Sequence, residues 1–104
     1  MTEYKVIIEI TAVSDLRGIL HYIKSVLKEP VTAKRIYHSI KMLIITLEQM
    51  PFRCPLVRDE TFAARGLRKL STENYSVFYT VDETLNEVHV LRILYNRREW
   101  QYLL

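Results

Sequence analysis

The chain has 104 residues, 49% hydrophobic and 26% charged, with fifteen Lys and Arg against twelve Asp and Glu for a net charge of +3. That length suits one domain over residues 1–104 with a single core, and the balance excludes a disordered chain. A single cysteine, Cys54, excludes an internal disulfide and fits a reducing cytoplasm, and the start MTEYKVIIEI has no signal-peptide pattern.

Residues 3–10, EYKVIIEI, are rich in β-branched side chains and read as a strand. Thr11 or Ser14 then offers an oxygen to cap a helix in which Leu16, Ile19, Leu20, Ile23 and Leu27 recur at three- and four-residue steps, and Pro30 is expected to end it. A second helix places Ala33, Ile36, Ile40, Leu43, Ile44 and Leu47 on its inner stripe and ends before Pro51. The link between the two is short, so they are expected to pack as an antiparallel hairpin. The longest apolar stretch inside a helix pattern, Met42 to Ile45, is far too short to span a membrane.

Residues 51–66, PFRCPLVRDETFAARG, contain two prolines and no clean period, which reads as a surface loop of a length that often carries function. The last third is β-type, with strands opening at Leu67, Tyr75 and Glu87 and polar turns at 72–74 and 82–86. A short helix or extended tail, 98–104, closes the chain. The fold class expected is α+β: an N-terminal strand, an antiparallel helix hairpin, then a three-stranded antiparallel meander, all strands forming one sheet. The hairpin can cover one face of that sheet, leaving the other to solvent or a partner.

Period-two alternation on the last strand puts Val88, Val90, Arg92 and Leu94 on one face and His89, Leu91, Ile93 and Tyr95 on the other. Arg92 is then a charge in an apolar row. It needs a carboxylate, such as Glu9 or Glu48, or a phosphate, because an unpaired buried charge costs roughly several kcal/mol. Arg65, Arg68 and Lys69 precede the middle strand, and antiparallel pairing can bring them near Arg92, Arg97 and Arg98. Basic residues interleaved with Tyr75, Tyr79 and Tyr95 are the type of set that RNA contact requires, since guanidinium groups pair with phosphate while rings stack on bases. The same residues equally suit a solvated strand exit and sheet packing. His21, His38 and His89 have no partners at ligand spacing, so no metal site is expected, and Gly18 and Gly66 are too few for a phosphate-cradling loop.

Residues 66–104, GLRKLSTENYSVFYTVDETLNEVHVLRILYNRREWQYLL, resemble the C-terminal half of RelE/ParE-family toxins of bacterial type II toxin–antitoxin systems. The stretches TAVSDLRGILHYI and LEQMPFRCP agree with the helix hairpin of that family. The resemblance implies a cognate antitoxin as partner and no metal or other cofactor. It also implies one of two targets, the ribosome and its messenger RNA for RelE-like members or DNA gyrase for ParE-like ones.

In the RelE-like case a ribose 2′-hydroxyl attacks the adjacent phosphate, which calls for a base, an acid and cations on the phosphorane. The resemblance then assigns Arg68 as phosphate ligand, with Arg65 as its alternative and Lys69 beside it. Arg92 and Arg97, with Arg98 next to them, fall near the family's second arginine. Tyr95 stands where relatives carry a histidine or tyrosine for proton transfer or base stacking. Ribosome-dependent messenger-RNA cleavage is thus the leading expectation. The alternatives are gyrase inhibition without catalysis and a non-toxic antitoxin-binding relative.

Overall fold

The computed structural model describes residues 3–72, 74–96 and 100–104. Strand β1 (Lys5–Ile8) leads into helix α1 (Ile10–His21), which continues as a turn of π-helix over Tyr22–Val26. Helix α2 (Pro30–Ile45) ends in a 3₁₀ turn (Thr46–Glu48), and a short helix α3 (Glu60–Ala64) precedes β2 (Arg68–Thr72), β3 (Tyr75–Asp82) and β4 (Glu87–Tyr95). A 3₁₀ turn at Trp100–Tyr102 follows. The expected order and meander are therefore present.

The four strands form one sheet in the order β1-β4-β3-β2. The meander is antiparallel, whereas β1 lies parallel to β4, Lys5 opposite Glu87 and Ile8 opposite Val90. A parallel partner needs a long crossover. Here almost the whole chain supplies it, and β4 becomes an interior strand.

The helix hairpin packs on one face of the sheet. Ala12 and Ile23 from the first arm and Ala33, Ile36, Ile40, Ile44 and Leu47 from the second meet Leu70, Val77, Tyr79, Val88, Val90 and Ile93. Burying each of the Ile, Leu and Val side chains contributes about 1.5–3 kcal/mol, so this cluster is the main source of stability. The opposite face is not left bare, which corrects the sequence expectation. Val57, Leu67, Phe78 and Leu94 form a second cluster, closed by Phe62 of α3 and by Trp100, Leu103 and Leu104 of the tail. The Trp100 ring lies 5.3 Å from Phe62 and 5.0 Å from Phe78, centroid to centroid. Residues 51–66 are accordingly a packed connection, with Pro51 and Val57 buried and Asp59 capping α3 through the Phe62 amide at 3.2 Å.

Three local expectations also change. Helix α1 starts at Ile10, with Glu9 as its extended N-cap residue, so neither Thr11 nor Ser14 caps it. Pro30 does not end the first helix but opens the second, where its missing N–H is no loss. The first arm ends instead at Lys28, which takes a left-handed conformation at φ 57°.

The third change is on β4. Phe78 faces Arg92 but Tyr79 faces Val90, so Leu91 is an extra residue, a β-bulge. One inserted residue inverts the alternation beyond it. Ile93 joins Val88 and Val90 against the helices, while Leu91 and Leu94 join the second cluster.

Candidate functional site

Strand β1 stops opposite Val90, so β4 beyond that point has an open edge. The first turns of α1 occupy it. The Thr11 hydroxyl donates to the Leu91 carbonyl at 2.8 Å, and the Ile93 amide donates to Asp15 Oδ2 at 3.0 Å. Two helix side chains thus replace the missing strand and satisfy backbone groups that would otherwise be orphaned.

Arg92 is drawn into the same arrangement. Its Nε and Nη2 donate to the two Asp15 oxygens at 2.7 and 2.8 Å, a bidentate fork, and its Nη1 donates to the Leu103 carbonyl. The Arg92 side chain is 21% exposed and that of Asp15 14%. The carboxylate hydrogen bonds push the Arg92 pKa further up, against the opposing effect of burial. The carboxylate partner is Asp15, not Glu9 or Glu48.

Arg68 sits elsewhere. It opens β2 opposite Tyr79, donates through Nη1 to the Cys54 carbonyl and lies 5.0 Å from the centroid of the Phe52 ring. Tyr79 is fully buried and its hydroxyl donates to the Pro51 carbonyl at 2.7 Å. Burial first, then the Cys54 thiol, raises the pKa of this phenol above its ordinary value, and the positive charge of Arg68 and Arg53 only partly opposes them. Tyr79 is therefore a packed donor, closed to bases.

Tyr95 is 40% exposed and stands at the far end of the strands, its ring 5.7 Å from that of Tyr75 and steeply inclined to it. Arg68 is level with Tyr79, and Tyr95 is level with Tyr75, four residues further along. At about 3.3 Å per residue that is roughly 13 Å along the sheet, before the intervening strand is counted. Arg65 lies at the end of α3, 5.6 Å from the Phe62 ring. Lys69 is exposed and paired in register with Phe78. Arg97 and Arg98 lie outside the described residues. The sheet therefore separates Arg68 from Tyr95, while Arg92, one register step from Arg68 across β3, is held by Asp15.

Beside the Asp15–Arg92 fork runs a groove of about 780 Å³ between the first helical arm and the end of β4. Ile19, Tyr22, Ile23, Leu27, Tyr95 and Leu103 contribute to its walls. The π-helical turn carries Tyr22 and Ile23 into it. On the opposite side of β4, His89 bridges two carboxylates, Nδ1 to Glu9 at 2.8 Å and Nε2 to Glu87 at 3.1 Å. Among the described residues no group of three His, Cys, Asp or Glu is arranged to hold a metal ion, and no helix is long and apolar enough to cross a membrane.

The sequence profile of the ParE toxin of the type II toxin–antitoxin system parDE matches residues 6–100. The chain belongs to the ParE toxin family. A chain from the chromosomal ParDE system of P. aeruginosa is 25% identical to this toxin, covers 89% of it and 96% of itself, and superposes with a TM-score of 0.70. A chain of the RelBE2 toxin–antitoxin complex of Mycobacterium tuberculosis shares the fold of the toxin at 23% identity and a TM-score of 0.66, over 90% of the toxin and 99% of its own length. No curated protein sequence matches it significantly.

The sequence reading passed over Asp15 and Thr11 as functional neighbours of the last strand. Asp15 is the only acid in α1 and follows Thr11 by four residues, which places both on one helix side. That spacing was the available signal.

Proposed function

We propose that this ParE-family toxin acts by binding rather than by cutting RNA, that its target is DNA gyrase, and that an antitoxin protein neutralises it. The observation that carries the reading is the capture of Arg92 by Asp15 and the Leu103 carbonyl, which uses the guanidinium donors a phosphate would need. The distance from Arg68 to Tyr95 supports it, because transfer chemistry needs cation and proton carrier within hydrogen-bond reach of one reacting group. The related chains from ParDE and RelBE2 systems support an antitoxin partner. The apolar groove beside Tyr22, Leu27 and Tyr95 suits a segment of such a partner.

Brief induction in cells that lack the antitoxin tests the reading. Covalently trapped gyrase–DNA complexes are expected to accumulate while messages stay intact, and Tyr95→Phe is expected to arrest growth as the parent does. New cleavage sites inside translated messages, lost in Arg68→Ala, overturn it and restore ribosome-dependent cleavage with Arg68 as phosphate ligand and Tyr95 in proton transfer or stacking.

A further inference from the structure

The positive charge of the toxin is not spread evenly. Residues 16–47 hold six Lys or Arg against a single Glu, a local charge of +5, so the remainder of the chain is net −2. Arg17, Lys24 and Lys28 are spread along the first arm, and on α2 Lys34 and Lys41, seven apart, lie on one side of the helix. All five are exposed.

Their surroundings differ from those of Arg92. Arg92 is held by Asp15, whereas among the described residues no carboxylate pairs with Arg17, Lys24, Lys28, Lys34 or Lys41. Of the acids on the two helices and their link, Asp15 is taken up by Arg92, and Glu29, at the tip, accepts from the Thr32 hydroxyl at 3.3 Å. Five exposed cations without carboxylate partners on two packed helical arms raise a positive potential over the hairpin.

We infer that the outer surface of the helix hairpin binds the phosphate backbone of duplex DNA. Single-stranded nucleic acid is held by aromatic platforms on which bases stack. Of the two exposed tyrosines on the arms, Tyr22 lines the groove beside β4 and Tyr37 has Lys41 Nζ lying 5.9 Å from its ring centroid, so they do not form a run of successive rings. Point cations on rigid helices with no stacking ladder suit backbone contact to a duplex, which carries no sequence information and depends strongly on salt. The inference needs neither gyrase nor the groove beside β4, and concerns a different part of the molecule.

Fluorescence anisotropy of a labelled 20-base-pair DNA duplex of mixed sequence, titrated with the purified toxin at several salt concentrations, tests it. Micromolar binding at 50 mM salt is expected, with the affinity falling by about 0.9 log units per log unit of salt for each phosphate contacted. Lys24→Ala combined with Lys34→Ala is expected to reduce that slope by about 1.8 and to weaken binding at least about tenfold at 50 mM. Lys5→Ala combined with Arg58→Ala is expected to leave both unchanged. No binding, equal losses in the two double variants, or tighter binding of an RNA duplex or of polyglutamate overturns the assignment. The titration contains neither gyrase nor ribosomes, so its failure is distinguishable from failure of the proposed function.

Discussion

The Asp15 carboxylate accepts from both the Arg92 guanidinium and the Ile93 amide, so one substitution there removes two supports. Asp15→Ala is expected to cost about 3 kcal/mol, because it leaves a largely buried cation and a strand amide unpaired together. Urea unfolding of the variant against the parent measures this, and Asp15→Asn, which keeps one oxygen, is expected to lose less. Arg92 was legible in the sequence as a charge that required a partner. Which partner was not, because that depends on where β1 stops and how α1 swings across the open edge. His89 gives a second test at this scale. Its pKa is raised, chiefly by the hydrogen bond to Glu9, so the folded state holds the proton more tightly than the unfolded chain. The stabilisation is complete below the unfolded value of about 6.5 and is lost as pH rises through the folded value. The melting temperature is expected to fall across that window in the parent, and His89→Gln is expected to remove that part of the pH dependence.

Elements were read from periodicity, and periodicity served where nothing interrupts it. The apolar stripe of α2 is buried at Ala33, Ile36, Ile40 and Ile44, as the three- and four-residue spacing required. It failed on β4, where the bulge at Leu91 changes which face Ile93 and Leu94 occupy. Both faces of that strand are apolar, so the composition held no mark of the slip. The first helical arm also hid its ending. Pro30 drew attention, yet the chain turns at Lys28, whose left-handed backbone strains a side chain with a β-carbon. Lys28→Gly relieves that strain and is expected to stabilise the toxin by up to about 1 kcal/mol in thermal unfolding. A loss of stability would mean that the Lys28 side chain contributes more than its backbone costs.

At the scale of the molecule, a helix hairpin and a packed tail enclose the sheet from its two sides. Trp100, the sole tryptophan, lies between Phe62 and Phe78 and ties the tail to the second cluster. Trp100→Ala is expected to cost about 3 kcal/mol or more, by removing a large side chain from that packing, and calorimetry checks the size of the loss. The tail appeared in the sequence as a short helix or extended end. Its burial was not readable, because the residues it covers, Leu67 just before β2, Phe78 on β3 and Leu94 on β4, are far apart in the sequence. The site was divided for a similar reason. Arg68 and Tyr95 sit on strands that flank β3 in the expected meander, but the register sets them four residues apart along it.

The parallel pairing of β1 with β4 also sets an order of events during synthesis. Lys5 leaves the ribosome about eighty residues ahead of Glu87, its neighbour in the finished sheet. Until β4 emerges, β1 has no strand to join, β3 keeps an open side, and Asp15 and Thr11 have no backbone to hold. Closing so long a loop is slow, and nothing is gained from it before the contact forms. The sheet of this toxin is therefore completed only once its last strand has been made, so the N-terminal strand waits unpaired for most of translation.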